Sequence, residues 1–329
     1  MNIRFFLFSA VVMACGCSGG SSESEGGDAS QNTELQNEVA KETPSSIDFQ
    51  GHRGCRGLLP ENSVPGFIRA LDLGVTTLEM DVVITADRQV ILSHEPWFSH
   101  EICRDPEGAP IAESDERNHL IYGMTLEETR AYDCGNSGHP KFPEQAPLSV
   151  SKPPLNEVIK VADAQAKAKG RALPFYNIET KSTPQGDGIM HPAPDEFVRI
   201  LVETVKGLGV EDRVIIQSFD VRTLQYLHAN HPEFRLALLI ENAFAPSENL
   251  EILGFTPDIY SPYFHLVDEA LIDFCRKEKM ELIPWTVNEV RDMEVLIEMG
   301  VDGLISDYPD RFAELNAFKK KAEYGDKRK

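Results

Sequence analysis

Basic residues are scarce. The 329-residue chain holds 32 Lys and Arg against 53 Asp and Glu, a formal charge of −21. Gripping a phosphate backbone needs clustered cations that release counterions, so general nucleic-acid binding is excluded. Long apolar runs are missing too. The stretch Phe5 to Ala14 falls short of the roughly 20 residues that cross a bilayer. The overall composition is not that of a disordered chain: 41% hydrophobic and 26% charged fit a globular protein with a sizeable core. At about 150 residues per domain the length suggests two domains, but α/β barrels of about 250 residues form one, so a single barrel with extra segments fits equally well.

What is present begins with an export signature. Arg4, the apolar run and Cys15-Gly16-Cys17 read as a signal peptide over residues 1–17. It ends in a bacterial lipobox, either Val12-Met13-Ala14-Cys15 or Ala14-Cys15-Gly16-Cys17. We expect export and a lipid anchor in the cell envelope facing the periplasm, with ordinary secretion as the alternative and no other membrane association. Residues 18–46 are polar and small, too poor in apolar surface to offset their ordering entropy, and read as a flexible tether. Residues 316–329 read as a charged tail. Export permits disulfides among Cys55, Cys103, Cys134 and Cys275, for which three full pairings exist. Cys103 and Cys134 share a loop-rich stretch where a staple helps most. Cys275 follows Leu271 by one helical turn and reads as a buried free thiol.

From residue 47 to about 315 short β-branched runs alternate with amphipathic stretches. The strand-like runs are Ile47 to Gly51, Thr77 to Ile84, Phe175 to Thr180, Arg213 to Phe219, Arg235 to Ile240, Asp258 to Pro262, Glu281 to Val287 and Asp302 to Asp307. Helical patterns include Ser63 to Leu73, Leu155 to Lys169, Pro194 to Gly207, Val221 to Asn230, Val267 to Lys279 and Asn288 to Met299. Asn62 and Asn288 are placed to cap the first and last helices, and Gly74 and Gly300 to end them. Eight such units predict an α/β fold, the (β/α)8 TIM barrel, over a doubly wound open sheet. The alternation breaks from about Pro96 to Pro153, an insertion after the second strand long enough to be a lid or small subdomain.

Catalytic groups in such a barrel sit at the C-terminal strand ends. The first strand ends in His52-Arg53-Gly54. Glu79 and Asp81, two apart on the second strand, share a face that the flanking apolar residues place inside the barrel. Glu179 and Lys181 repeat the spacing on the third. Two carboxylates buried side by side demand a cation. Glu79, Asp81 and Glu179 make an all-oxygen set suited to one divalent ion, Ca²⁺ or Mg²⁺ rather than zinc. His52 and His94 then suit acid-base work. Arg53 and Lys181 add positive charge, and a basic, metal-bearing pocket in an acidic protein fits a small phosphodiester. Gln217 reads as a pocket contact or a barrel-mouth hydrogen bonder, Trp285 as an apolar wall or core. Glu61 reads as structural support. His100, His119, His139 and His191 lack ligand spacing and are expected on loop surfaces. Cys55, close to His52, is open to oxidation or merely fills space.

His52-Arg53-Gly54 with Pro60-Glu61-Asn62-Ser63, Glu79-x-Asp81 and Val90-x-x-x-His94 resembles the opening signature of the glycerophosphodiester phosphodiesterase family. Glu179-x-Lys181, Trp285-Thr286-Val287-Asn288 and the run Asp302 to Pro309 resemble its later motifs, in order, over about Phe49 to Arg311. The resemblance implies a TIM barrel that hydrolyses glycerophosphodiesters to glycerol 3-phosphate and an alcohol. Glu79, Asp81 and Glu179 would hold the metal, His52 and His94 would be the acid-base pair, and Arg53 and Lys181 would grip the phosphate, with Gln217 and Trp285 also against substrate. Two positions depart from the family pattern: Glu95 stands where Asp usually follows the second histidine, and Arg88 where Gly precedes it. The alternatives are a related barrel cleaving phosphoinositides or sphingomyelin, or a lipid-tethered barrel that binds without turnover.

Overall fold

The computed structural model describes residues 47–319. The expected signal segment 1–17, the tether 18–46 and residues 320–329 of the expected tail lie outside the described residues.

The β-branched runs fold into β1 (Asp48–Gly51), β2 (Thr77–Ile84), β4 (Phe175–Thr180), β5 (Val214–Ser218), β6 (Arg235–Ile240), β7 (Ile259–Pro262), β8 (Glu281–Leu282) and β9 (Gly303–Ser306). These eight run parallel in the order β8-β7-β6-β5-β4-β2-β1-β9. Backbone bonds from Asp302 N to Leu282 O (2.9 Å) and Ile305 N to Pro284 O (3.1 Å) join β9 to the β8 segment. The result is the expected (β/α)8 barrel. The seventh unit's strand, β8, is shorter than the apolar run 281–287 suggests, because Pro284 has no N–H for the ladder. A short strand β3 (Val90–Leu92) turns back antiparallel on β2, pairing Val82 with Leu92.

Six longer helices follow the expected patterns: α1 (Val64–Leu73), α3 (Leu155–Ala168), α4 (Pro194–Leu208), α5 (Val221–Asn230), α7 (Glu269–Glu278) and α8 (Val290–Met299). A further helix, α6 (Pro246–Leu253), fills the gap between β6 and β7, and α2 (Leu126–Thr129) lies in the insertion. The short α6 buries only Asn249 and Leu253 in full, so its periodic signal is weak. Gly74 (φ 103°) and Gly300 (φ 98°) end α1 and α8 in the left-handed region, as expected. The asparagine caps are corrected. Ser63 caps α1 by accepting from Gly66 N, and Glu289 precedes α8 without a side-chain cap. Asn62 and Asn288 serve the active site instead. The expected tail also begins later than residue 316, because Phe318 packs edge-on against Phe49 at 5.1 Å.

Along β2, Leu78, Met80, Val82 and Ile84 join the core between barrel and helices, which leaves Glu79 and Asp81 on the inner face. Ile215, Ala237, Ile259, Ile283 and Ile305 form the apolar part of the barrel interior. Free Cys275 is buried beneath α7, as the periodicity implied, and its burial pushes the thiol up to about 12.

The insertion has a core of its own. Phe98, Ile102, Ile111, Ile121 and Tyr132 pack with Val83 and Ile91 of the hairpin. Phe98 and Tyr132 stack at 3.7 Å between centroids. Cys103 and Cys134 are joined by a disulfide, the pairing their setting favoured. Closing a loop of 31 residues removes chain entropy worth about 3 to 4 kcal/mol on the usual model. The insertion is therefore a braced cover over part of the barrel mouth.

Candidate active site

β2 and β4 lie side by side in register, Asp81 opposite Glu179, so alternate side chains of the two strands meet inside the barrel. Glu79, Asp81 and Glu179 are buried and offer oxygens all within 4.8 Å of one another. Water cannot screen their repulsion. Burial and the neighbouring Asp81 push the Glu79 carboxyl well above its ordinary range. Two cations offset part of the charge: Arg53 Nε stands 3.2 Å from Asp81, and Lys181 Nζ 2.7 Å from Glu179 and 3.7 Å from Asp81. Once Glu79 gives up its proton, three carboxylates face two cations, and Arg53 is shared with Glu61 at 3.1 Å. Asp81 Oδ1 is buried and takes no hydrogen bond. An unsatisfied oxygen in an all-oxygen cluster with surplus negative charge fits a hard divalent cation.

The cluster is held from below and beside. Gln217 Nε2 donates to Glu79 Oε1 at 2.8 Å while its carbonyl accepts from Asn177 at 2.9 Å. Both ends of the Gln217 amide are thus committed to positioning Glu79. Asn62, in left-handed backbone (φ 52°), donates to Asp81 Oδ2 at 2.9 Å and accepts from Asp81 N at 3.2 Å. The backbone N–H of Arg53 donates to Glu79 Oε2 at 2.8 Å.

Two histidines face this cluster, each backed by a carboxylate. His52 Nδ1 bonds Asp307 Oδ1 at 2.6 Å, which leaves Nε2 turned towards Glu79, 3.9 Å away. Burial lowers the His52 imidazole to about 4, against the upward pull of Asp307. It is therefore neutral at pH 7 with its proton on Nδ1 and a free lone pair on Nε2. Asp307 stays ionised: burial would raise it, but His52 and Arg56, whose Nε donates to Asp307 Oδ1 at 2.9 Å, hold it well below the usual range. Asn288 adds a bond to Asp307 Oδ2 at 2.9 Å. His94, at the end of β3, repeats the pattern with its own neighbour, Nδ1 to Glu95 Oε1 at 2.6 Å. Glu95, standing where the resembled family has Asp, reaches Nδ1 with its longer side chain. Arg88, in the hairpin turn, adopts the positive φ (61°) that explains the family's Gly.

His94, Glu95, Arg53, Arg56, Glu61, His139, Lys141 and Phe142 line a cavity of about 160 Å³ between the barrel and the insertion. A larger hollow of about 440 Å³ opens at the opposite end, against Leu71, Phe175 and Phe318, and holds none of these groups. Trp285 sits further round the mouth, its Nε1 bonded to Ser261 O at 2.9 Å. Two histidines expected on the surface are not there. His139 turns inward to within 3.9 Å of Glu61, and His191 is buried, accepting from Thr183 N and bonding Pro192 O. Cys55 fills space beneath α1, donating to Gly66 O, and burial pushes its thiol up to about 12. Sequence reasoning assigned no role to Arg56, Asp307 or Lys152. Asp307 ends the last strand beside Pro309, a position that could have betrayed it; Arg56 and Lys152 carry no such signal.

The Glycerophosphoryl diester phosphodiesterase family model matches residues 52–311. The chain belongs to this family. A glycerophosphodiester phosphodiesterase of Caldanaerobacter subterraneus is 28% identical over 80% of this chain and 95% of its own. One from Bacillus subtilis is 26% identical over 82% and 86%. Among solved structures, a Silicibacter pomeroyi protein provisionally assigned to the same family aligns with TM-score 0.72 and 28% identity over 85% of this chain and 95% of its own. A phosphodiesterase of Oleispira antarctica, in complex with the product sn-glycerol-3-phosphate, shares the fold at TM-score 0.65 and 21% identity, covering 83% and 97%.

Within this family site Asp307 is a positioning residue for His52. Asp307→Asn removes the charge that keeps the proton on Nδ1 while preserving shape. It should lower kcat by about 10² to 10⁴ with KM changed little. A kcat near that of the unaltered enzyme would show that the dyad has no part in turnover.

Proposed function

We propose that the protein hydrolyses glycerophosphodiesters to sn-glycerol 3-phosphate and an alcohol, with one divalent ion, Ca²⁺ or Mg²⁺, held by Glu79, Asp81 and Glu179. The observation that carries this reading is the pair of histidine–carboxylate dyads beside a carboxylate cluster, at 2.6 Å each. A binding barrel needs the cluster and the cations but no paired proton carriers. When bound, the ion would neutralise charge growing on the phosphoryl oxygens. Arg53 and Lys181, both at the cluster, supply the positive charge that grips the phosphate. Gln217 and Asn62 keep the carboxylates aimed, and Trp285 walls the glycerol.

His52 is the base. Its depressed pKa leaves Nε2 unprotonated at neutral pH, ready to take a proton from the attacking hydroxyl. That hydroxyl is the glycerol's own, next to the ester, so the first step is intramolecular and gains from proximity. It gives a cyclic phosphate that water then opens. His94 is the acid that protonates the leaving alkoxide; its side chain is 32% exposed against 11% for His52, so it can exchange protons with water.

Export with a lipid anchor belongs to the same proposal. The signature lies in residues 1–17, and the Cys103–Cys134 disulfide suits an oxidising compartment. Mass spectrometry of the mature N-terminus should find an acylated Cys15 or Cys17; an intact Met1 would overturn it.

His52→Ala and His94→Ala should each lose about 10² to 10⁴ in turnover. A p-nitrophenyl ester, whose leaving group needs no proton, should restore His94→Ala and leave His52→Ala slow. Equal rescue of both would reverse or remove the assignment.

Added Ca²⁺ or Mg²⁺ should raise the melting temperature, and the rise should disappear in Glu79→Gln. Because metal binding must displace the proton held by the raised Glu79 carboxyl, affinity should increase with pH. Full turnover in excess chelator would refute the metal site.

A further inference from the structure

The insertion furnishes one wall of the cavity beside His94. Glu101, His139, Lys141 and Phe142 come from it and face Arg53, Arg56 and Glu61, which follow β1. A group that protonates a leaving oxygen must stand next to it, so the alcohol that departs past His94 lies in this cavity. His52 is not among its walls. The insertion therefore meets the head group rather than the attacking glycerol.

Most polar groups in the cavity are already paired. Glu95 holds His94 at 2.6 Å, Lys141 Nζ stands 3.1 Å from Glu101, and Arg53 Nη1 donates to Glu61 Oε1 at 3.1 Å. Two atoms are left over. Glu61 Oε2 and His139 Nε2 face each other across 3.9 Å, too far for a hydrogen bond, and among the described residues neither bonds to anything else. Their side chains are only 5 and 6% exposed, so water does little for them and the open pair is costly. The direction of each is fixed. Lys141 N donates to His139 Nδ1 at 3.2 Å, which puts the ring proton on Nε2, and burial lowers the imidazole so that the ring stays neutral. A group between the two must accept from Nε2–H and donate to Oε2 at once, as a hydroxyl does.

The gap is also close to the reacting phosphate. Arg53 reaches from Asp81, with Nε at 3.2 Å, to Glu61, so one guanidinium separates the gap from the carboxylate cluster. Cationic head groups fit it poorly. A quaternary ammonium seeks an aromatic face, but Arg56 already lies over the Phe142 ring at 4.6 Å. It has no N–H for Glu61 and no lone pair for His139. A primary ammonium donates but cannot accept, and it would enter beside the Arg56 guanidinium, 3.9 Å from the same oxygen.

We propose that Glu61 and His139 are specificity-determining residues that bind a hydroxyl of the leaving alcohol, so that the enzyme selects diesters of a small polyol over those of choline or ethanolamine. The proposal rests on the phosphodiesterase reading of the site and on His94 as its acid. The hydroxyl donates to Glu61 Oε2, accepts from His139 Nε2, and holds the ester oxygen beside His94. The insertion thereby selects the substrate as well as bracing the mouth.

The test measures glycerol phosphate release from glycerophosphoglycerol, glycerophosphocholine and glycerophosphoethanolamine by the full-length, metal-loaded enzyme. The glycerol diester should have a kcat/KM at least about tenfold above the other two, well beyond the roughly twofold statistical gain from its two like esters. His139→Leu should abolish that ratio, whereas His139→Gln, whose amide donates from the same place, should keep most of it. Equal kcat/KM for all three substrates, or a preference for ethanolamine, would overturn the proposal alone. So would a ratio unchanged in His139→Leu, or a loss shared equally by all three substrates in both variants, which would make His139 a structural residue. An unaltered enzyme that cleaves none of the three would overturn the phosphodiesterase reading itself.

Discussion

Three carboxylates held inside a barrel, within 4.8 Å of one another, are the constraint around which this molecule is arranged. Left bare, they would repel strongly in a medium that screens poorly. The side chains nearest to them are there for that reason. Arg53 and Lys181 supply charge, Gln217 and Asn62 supply hydrogen bonds, and the backbone N–H of Arg53 supplies another. With all three ionised the balance stays incomplete, and that deficit suits a divalent cation. The polar chain from Gln50 through Asn177 to Gln217 carries the same requirement deeper into the barrel, since each amide that orients a carboxylate must itself be oriented.

The two dyads solve one problem in two environments. Each uses a carboxylate on Nδ1 to leave Nε2 free, but Asp307 follows the neighbouring strand β9, 255 residues away in the chain, whereas Glu95 is the residue next to His94. The long-range pair is buried and braced by Arg56 and Asn288, so its imidazole stays neutral. The local pair sits on a hairpin that opens to the cavity. A base that must remain unprotonated profits from burial, and an acid that must exchange protons with water profits from access. On the proposed mechanism, this difference in burial divides their labour.

Much of this was legible in the sequence because barrel chemistry sits where strands end, and strand ends are visible as polar residues after β-branched runs. Glu79-x-Asp81 and Glu179-x-Lys181 announced a shared inner face through their spacing alone. Partners joined across long separations were not legible. No periodicity links Asp307 to His52, 255 residues away, or Arg56 to Asp307. Asn62 and Asn288 misled for a related reason. Asparagine before a helix is a good cap by local chemistry, and only the fold reveals that both side chains are drawn instead to carboxylates of the site. His139 and His191 stood among Gly and Pro residues that read as loop, and those loops fold inward.

The insertion then becomes more than a cover. Its last segment, before α3, carries Lys152, whose buried ammonium donates to Ser93 Oγ at 2.7 Å, while the same hydroxyl donates to the backbone carbonyl of Glu95. The residue that orients His94 is thus fixed by the strand-like return from the insertion. The Gln145 bond to Arg56 O ties the other dyad's brace to the same segment. A cover with its own apolar core and a disulfide cannot shift piecemeal, so movement of it would disturb both dyads at once. Such coupling requires the insertion to be rigid.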